Sequence, residues 1–461
     1  MFNSFRKYIK RTLGTIATVS IIAVTTFSVT ANVSAAASDS NTAPKAAWPD
    51  APSITCESAI LIDADTGSIL YEKDSHRKAY PASTTKILTG LLTIENCNLN
   101  DTMTFSSKAA NSVNPYEDAN LSMKAGEQIT VEQALYGLLL YSANEIAYGL
   151  AEQVAGSADA FIDMMNNKAK ELGAINTHFA NPSGLYNPNH YTTAYDMAMI
   201  ARGCYNNASF VNIDSTSSSY TIPATNMSAQ RTIKHRHKML KGREFYYEYC
   251  KGGKTGFTDE SLMTLVTFAE KDGMRLICVV FRSPDDSTRY IDTRALFDWG
   301  FGNFKKSTTS NSQISSLFST DNYYSSDVFG KSKLGFNLNA SFITIPANGS
   351  TSDVTMDINT DYDVSNSNDK LTAKLNYKYG DNVVGTTTLT ISSGNAVKDS
   401  QLPYLSNEIK VTELTPKKCL KVNIWIIAGF VAAILIIITI INNRKLSNNR
   451  KHHYSKRNLR F

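Results

Sequence analysis

Cysteine is scarce in this chain, and its spacing excludes several kinds of site. The 461 residues include six cysteines, none in a Cys-x-x-Cys pair and none beside a histidine at metal-ligand spacing. Cys278 stands inside the apolar run Leu276 to Phe281, where a small buried side chain is expected. We therefore predict no metal site, no cofactor and no nucleophilic thiol, while the spacing leaves any disulfide pairing open.

Acidic residues are absent from the first 35 residues, which have the layout of a secretory signal peptide. Four basic residues at positions 6–11 precede an apolar run from Leu13 to about Val29 and the small-residue stretch 33–37. We predict a signal peptide over 1–35, cleaved after Ala35 or a residue or two later. An N-terminal anchor fits less well, because Thr and Ser interrupt the apolar run.

A second long apolar run is found near the other end. Residues 422–441 form 20 uncharged positions, enough to cross a hydrocarbon core of about 30 Å. The tail 442–461 carries seven Lys/Arg and no acidic residue, which under the positive-inside rule places it in the cytoplasm. We therefore predict a single-pass protein of the cell membrane, with its body outside and its tail inside.

The body has no excess of positive charge, although the whole chain has a formal charge of +5. Between the two basic ends it contains 35 Lys/Arg against 41 Asp/Glu, which argues against a nucleic-acid surface, so no nucleic-acid partner is expected. The segment Lys234-His235-Arg236-His237-Lys238 has no carboxylate or cysteine beside its histidines. We predict a solvated surface loop there rather than a metal site.

Apolar periodicity predicts an antiparallel sheet built from both ends of one domain. Two runs around the turn Asp63 to Gly67 predict one hairpin, and residues 262–281 predict another. Helical patterns lie between them, one opened by a capping box at Thr130 to Gln133, and a helix is predicted over Asp286 to Trp299. We therefore expect an α+β fold, an antiparallel sheet flanked by helices, over residues 55–303.

The remaining segments are less apolar. Residues 304–327 are rich in Ser, Thr and Asn and are predicted to be a linker. Residues 328–415 contain runs with period-2 alternation and predict a small all-β domain before the apolar segment.

The stretch Tyr80-Pro81-Ala82-Ser83-Thr84-Thr85-Lys86 pairs a hydroxyl with an amine three residues later. If a helix starts near Ser83, the two side chains share a face and come within hydrogen-bond reach. The N–H groups and dipole at a helix start favour the negative charge that develops on an attacked carbonyl. A serine at such a position is more often a cap, so this pair alone identifies no enzyme.

Two further motifs follow in order along the chain. Ser142-x-Asn144 lies at the break between two apolar helical runs, and Lys254-Thr255-Gly256 leads into a predicted strand. Ser-x-x-Lys, a Ser-x-Asn motif and Lys-Thr-Gly in this order form the set of the penicillin-recognising serine enzymes. Three ordered motifs on the expected elements make chance an inadequate explanation.

The flanking residues narrow the resemblance. With Asn181-Pro182-Ser183-Gly184-Leu185 and His190-Tyr191-Thr192-Thr193-Ala194, the chain resembles the low-molecular-weight penicillin-binding proteins, serine-type D-Ala-D-Ala carboxypeptidases of the peptidase S11 family. The resemblance covers about residues 55–303 and, more loosely, the all-β segment. It implies a penicillin-binding-protein/β-lactamase-like transpeptidase domain that removes the terminal D-Ala from peptidoglycan stem peptides and is inhibited covalently by β-lactams.

The resemblance also implies residue roles. Ser83 would be the nucleophile, Lys86 its base in the neutral form, and Ser142 a proton relay to the leaving amine. Desolvation and the neighbouring Lys254 would lower the pKa of Lys86 in the required direction. The oxyanion hole would be the N–H groups of Ser83 and Phe257, and substrate binding is expected from Asn144, Lys254, Thr255, Gly256, Phe257, Thr258 and Arg289.

Two departures from the family pattern affect rate and substrate preference more than reaction type. Phe257 stands where relatives often have histidine, and Glu260-Ser261 replaces a small Ala-Gly pair. Two rival hypotheses remain. A β-lactamase would need a deacylating Glu-x-x-Leu-Asn turn, and the nearest candidate, Glu171 to Asn176, has the wrong spacing. A non-catalytic wall-binding protein with the same fold is disfavoured by the intact motifs.

Overall fold

The computed structural model describes residues 47–309, 334–338, 341–358, 365–367 and 370–393. The predicted signal peptide, the apolar segment 422–441, the basic tail and most of the predicted linker lie outside these ranges. Within them, no helix combines the length and apolar character needed to cross a membrane.

The described ranges contain strands and helices from both halves of the chain. The strands are β1 (Ser58–Asp63), β2 (Ile69–Lys73), β3 (Thr102–Thr104), β4 (Gln128–Thr130), β5 (Tyr220–Ile222), β6 (Arg231–Ile233), β7 (Cys250–Thr258), β8 (Leu262–Lys271), β9 (Met274–Ser283), β10 (Phe304–Thr308), β11 (Leu334–Leu338), β12 (Phe342–Pro346), β13 (Val354–Ile358), β14 (Ser365–Ser367), β15 (Lys370–Tyr379) and β16 (Asn382–Ser393). The α-helices are α1 (Lys86–Asn96), α2 (Ser107–Ala110), α3 (Val131–Tyr136), α4 (Asn144–Ala155), α5 (Ala158–Glu171), α6 (Ala194–Tyr205), α7 (Ala208–Asp214) and α8 (Asp286–Asn303).

The central sheet is antiparallel throughout, with strand order β2-β1-β9-β8-β7. The early strand β1 pairs with the late strand β9, from Ser58 opposite Phe281 to Asp63 opposite Leu276. The predicted α+β fold, with strands from both ends of the domain, is therefore confirmed. Strand β7, which carries the Lys-Thr-Gly motif, forms one edge of this sheet.

Helices cover both faces of the sheet, which explains the uninterrupted apolar run 276–281 in β9. Ile277, Val279 and Phe281 pack into the core formed with α1, α4 and α6, whereas Leu276, Cys278 and Val280 pack into the core beneath α8. A strand buried on both faces needs apolar side chains at consecutive positions. The buried, free thiol of Cys278 confirms its predicted place in the core.

Three local features differ from the sequence expectations. The turn at Ser83 is a 3-10 turn, Ala82–Thr85, and the α-helix begins only at Lys86. The capping box at Thr130 is present, but its helix changes to a π-helical turn at Gly137–Tyr141. The segment 234–238 is not a solvated loop, because His235 is 3% exposed and His237 is fully buried.

The C-terminal strands form a second antiparallel sheet with order β11-β16-β15-β13, and β14 pairs with β15. The predicted linker is wrong at its start, because residues 304–308 form β10 and pair with β12. Phe304 is 4% exposed, and its ring lies 4.9 Å from that of Trp48 and 5.1 Å from that of Trp299. Burying this aromatic side chain favours order where the polar composition indicated a linker.

Candidate active site

The Ser-x-x-Lys pair meets at the junction between the 3-10 turn and α1. Lys86 Nζ lies 2.9 Å from Ser83 Oγ. Neither the turn nor α1, both within the described residues, has a side-chain N-cap hydrogen bond, so the Ser83 hydroxyl does not serve as a cap. Lys86 is fully buried, whereas Ser83 lines an open cleft. The hydroxyl can therefore meet a ligand while its amine partner is kept from water.

Lys86 Nζ has two oxygen acceptors besides the Ser83 hydroxyl. Its Nζ donates to Asn144 Oδ1 at 2.5 Å and to the main-chain carbonyl of Ser183 at 2.5 Å. In the charged form the three hydrogens of the ammonium match the three oxygen partners. In the neutral form these two acceptors would use both hydrogens of the amine, and its lone pair would be left for the hydroxyl hydrogen of Ser83. The geometry thus gives Lys86 the arrangement of a general base.

The electrostatic surroundings favour the same state. Burial, followed by the positive charges of Lys254 and Arg236, holds the pKa of Lys86 well below its ordinary value. Burial and then Arg236 also lower the pKa of Lys254, to about 7. The neighbouring cations in this cleft therefore make deprotonation of each lysine easier.

Ser142 reaches the cleft because the helix before it ends in a π-helical turn. Ser142 follows Gly137–Tyr141 with φ 68°, in the left-handed region, and is only 3% exposed. Asn144 begins α4 directly afterwards and donates its backbone N–H to the carbonyl of Ala119 at 2.7 Å. The break in the helix thus turns a hydroxyl and an amide toward Lys86 and Lys254, as π-turns often do at functional sites.

The third motif joins the same cluster from the sheet edge. Lys254 Nζ donates to Ser142 Oγ at 2.9 Å and to its neighbour's carbonyl, Thr255 O, at 2.9 Å. Gly256 lies so close to the nucleophile that a Cβ there would be 2.9 Å from Ser83 N. Behind the strand, the carboxylate of buried Asp214 accepts the backbone N–H of Gly253 at 2.6 Å. Strand β7 is therefore held against the Ser83 turn.

The cleft has a volume of about 1040 Å³ and is lined by residues of all three motifs. Thr255, Gly256, Phe257 and Thr258 form its β7 wall. Phe257 is 54% exposed, so this departure from the family pattern presents an apolar ring to the opening.

The other departure, Ser261, has a structural role. Its hydroxyl accepts the backbone N–H of Thr258 at 2.8 Å and closes the β7–β8 turn. Arg289 also lines the cleft, but its guanidinium Nη1 donates to the carbonyls of Gly256 at 3.1 Å and Thr264 at 3.0 Å, and Nη2 contacts Asp286. The contacts of Arg289 therefore fix the strand.

The structure adds site groups that the sequence expectations omitted. The carbonyl of Ser183 is a partner of Lys86, and Gly184 packs against the turn before Ser83. Arg236 lines the cleft with its guanidinium 4.5 Å from the centre of the Tyr141 ring. The alternation of cations and histidines over 234–238 was the available signal, because His235 and His237 are buried whereas Arg236 is exposed.

Among the residues that the structure describes, no group of three or more His, Cys, Asp or Glu side chains could hold a metal ion. His237, for example, is committed to Thr267, with its Nε2 2.9 Å from the Thr267 hydroxyl. The arrangement supports acyl transfer from a nucleophilic hydroxyl to a carbonyl substrate.

Comparison with known proteins identifies relatives of this chain. The sequence profile of the peptidase S11 family, D-alanyl-D-alanine carboxypeptidase, matches residues 45–285. The chain is 34% identical to D-alanyl-D-alanine carboxypeptidase DacF of Bacillus subtilis (strain 168) over 254 residues, which are 54% of this chain and 63% of DacF. It is 31% identical to DacC of Escherichia coli (strain K12) over 268 residues, 56% of this chain and 64% of DacC. The chain thus spans a little under two thirds of the length of these two relatives.

A solved structure is similar to this chain in both fold and sequence. The crystal structure of D-alanyl-D-alanine carboxypeptidase from Mycobacterium tuberculosis H37Rv has a TM-score of 0.51 and 31% identity, covering 57% of this chain and 96% of that one. The family profile spans more than half of the present sequence and includes the Ser83, Ser142 and Lys254 motifs. The chain belongs to the peptidase S11 family of D-alanyl-D-alanine carboxypeptidases.

Proposed function

We propose that this chain is a penicillin-sensitive serine D-Ala-D-Ala carboxypeptidase that removes the terminal D-Ala from peptidoglycan stem peptides through an acyl-enzyme on Ser83. The observation that carries the proposal is that one cleft brings together Ser83 with Lys86 and Ser142 with Lys254, each pair at 2.9 Å. The side-chain oxygen of Asn144, two residues after Ser142, accepts a hydrogen bond from Lys86 of the first pair.

The proposed reaction begins with proton transfer from Ser83 to neutral Lys86. Ser83 Oγ attacks the carbonyl carbon of the penultimate D-Ala, forming an ester as the peptide C–N bond breaks. Ser142 passes a proton to the leaving amine, and Lys254 beside it replaces that proton. Water then attacks the ester and gives a proton to Lys254, while Lys86 returns its proton to Ser83 Oγ as the ester C–O bond breaks. The shortened peptide leaves with a new carboxylate, and both lysines regain their starting states.

Substrate binding is proposed along the β7 edge. Lys254 and Thr255 would bind the terminal carboxylate, while the missing side chain of Gly256 lets the substrate backbone approach the strand. Phe257 and Thr258 would contact the substrate farther out. Arg289 would act in part by holding the Gly256 carbonyl, which its guanidinium contacts at 3.1 Å.

A β-lactamase would need a base that deacylates the enzyme. The candidate from the sequence, Glu171, forms an ion pair with Lys168 at 2.9 Å and does not line the described cleft. We therefore propose that the penicilloyl adduct persists, as expected of a penicillin-binding protein rather than a penicillin-hydrolysing enzyme.

The direct test is release of D-alanine from a peptide ending in D-Ala-D-Ala by the purified full-length chain. We expect release in the wild type, none in Ser83→Ala, and inhibition of the wild type by penicillin. No release together with no labelling by a fluorescent penicillin would overturn the proposed activity and favour a wall-binding role. Rapid, repeated turnover of penicillin would favour a β-lactamase.

We also propose that the protein is exported and membrane-tethered, with its catalytic domain outside the cytoplasm. The proposal is supported by the charge and apolar patterns of residues 1–35 and 422–461. N-terminal sequencing of the mature protein should find a start near residue 36. Protease added to intact cells should degrade the body and leave a tag on the C-terminal tail, and cleavage of that tag would contradict the orientation.

A further inference from the structure

The peptide that joins Ala82 to Ser83 is held in an unusual conformation. Ala82 has φ 49°, a left-handed value that costs a residue with a Cβ conformational energy. Its carbonyl oxygen accepts a hydrogen bond from Thr85 Oγ1 at 2.8 Å. Gly184 closes over the same oxygen, since a Cβ at position 184 would lie 1.9 Å from it. The carbonyl of this peptide is therefore fixed from two sides.

Fixing the carbonyl also fixes the amide of the nucleophile. The C=O and N–H of a trans peptide point in opposite directions within one plane, so the Ala82 oxygen determines where the Ser83 N–H points. Ser83 N lies beside Gly256 at the edge of β7, within the cleft wall. This N–H belongs to the attacking residue itself. It therefore lies next to the carbonyl oxygen on which negative charge develops during the attack.

A buried histidine stands behind Thr85. His190 Nε2 lies 2.8 Å from Thr85 Oγ1, and His190 Nδ1 accepts the backbone N–H of Ala180 at 3.0 Å. Because Nδ1 accepts, the hydrogen of the neutral imidazole is on Nε2. Thr85 uses its single hydrogen for the Ala82 carbonyl, so its oxygen must accept from His190. The result is a one-directional chain from His190 through Thr85 to Ala82.

Both members of the chain are inaccessible to substrate. Thr85 is fully buried and His190 is 2% exposed. Burial lowers the pKa of His190 to about 3, so the ring is neutral near pH 7. Neither side chain lines the cleft that holds Ser83.

We propose that His190 and Thr85 are positioning residues that orient and polarise the Ser83 amide, making it a stronger donor to the oxyanion of the acyl-transfer reaction. Hydrogen bonds in a chain polarise one another, and an amide whose oxygen accepts a hydrogen bond donates more strongly from its nitrogen. The inference rests on the proposed function, because it assigns a role in the acylation of Ser83.

The matched variants Thr85→Val and Thr85→Ser test the hydrogen-bond chain from His190 through Thr85 to Ala82. Valine keeps the shape but removes the hydroxyl, whereas serine keeps the hydroxyl. In the full-length enzyme we expect Thr85→Val to slow acylation by penicillin by about 10-fold, less than the 10²–10³ of deleting a whole oxyanion donor. The carbonyl stretch of its penicilloyl adduct, read by infrared difference spectroscopy, should move to higher frequency. Thr85→Ser should restore both values.

The outcomes separate this inference from the proposed function. Absence of an adduct on the wild type refutes the function itself. In Thr85→Val, an adduct that forms at the wild-type rate and has an unshifted carbonyl band refutes only the role of the hydrogen-bond chain from His190 to Ala82. If Thr85→Val does not fold, His190→Leu and His190→Gln replace the pair, because glutamine can still donate to Thr85. Equal rates and bands in wild type and a folded His190→Leu would likewise overturn the proposal.

Discussion

Gly184 is the position where a single methyl group should disable the cleft without removing any functional side chain. A Cβ there would lie 1.9 Å from the carbonyl oxygen of Ala82, whereas real Cβ contacts stay beyond 3.0 Å. One of the two segments must therefore shift by about 1 Å, because a packed interior offers no free space. A displacement of that size at a reacting centre can cost about 10²-fold in rate.

The backbone strain of the same substitution is a separate effect with its own control. Gly184 has φ +88°, where alanine costs roughly 1–2 kcal/mol. Gly173 has φ +89°, and a Cβ there would meet nothing within 4 Å. Gly173→Ala should therefore show the conformational cost alone.

Stopped-flow acylation by a fluorescent penicillin, with thermal unfolding in parallel, separates the two effects. We expect Gly173→Ala to lose some stability at an unchanged acylation rate, and Gly184→Ala to lose about 10²-fold in rate. If the two variants acylate at similar rates, the Ala82 carbonyl is not held by Gly184, and the argument for a fixed Ser83 amide fails with it.

Two further substitutions test the electrostatics and the cleft opening. The pKa of Lys254 is about 7 in the folded chain and 10.5 for an exposed lysine. Between these pH values the unfolded chain binds more protons than the folded chain, so the free energy of unfolding rises with pH. Burial of Lys254 is therefore most destabilising below pH 7. Lys254→Met should therefore abolish D-alanine release. At pH 7 it should raise both the Tm and the free energy of unfolding, the latter by at most about 5 kcal/mol. This difference between variant and wild type should close as the pH approaches 10.5, and a lower Tm of the variant at pH 7 would contradict the assigned pKa. Phe257 is 54% exposed, so Phe257→His should change the free energy of unfolding by less than about 0.5 kcal/mol. The same substitution should alter the relative kcat/KM values for different peptides. A large loss of Tm would show instead that the ring is packed.

The elements that could be predicted are those whose residues carry a local signature. The two hairpins, the capping box at Thr130 and the helix from Asp286 follow from periodicity and capping residues, and each is present. The sequence predicts that Ser83, Lys86, Ser142, Asn144 and Lys254 meet. Hydrogen bonds join Lys86 to Ser83 and Asn144, and Lys254 to Ser142, and Ser83, Ser142 and Asn144 line one cleft.

What could not be predicted depends on backbone atoms and on contacts distant in sequence. The Ser183 carbonyl that holds Lys86 is 97 residues away from it, and a carbonyl oxygen is common to every residue type. The burial of His235 and His237 depends on where β7 and β8 pack, for example on the contact between His237 and Thr267. Local polarity therefore indicated a surface loop, whereas tertiary packing placed both rings inside.

The central claim is that Ser83 is the nucleophile of an acyl-transfer site, and mapping a trapped adduct tests it most directly. The full-length chain should be incubated with penicillin, digested and analysed by mass spectrometry, beside Ser83→Ala treated in the same way. We predict one penicilloyl group on the peptide containing Ser83 in the wild type and no adduct in the variant. An adduct on another serine, or an adduct that persists in Ser83→Ala, would contradict the account.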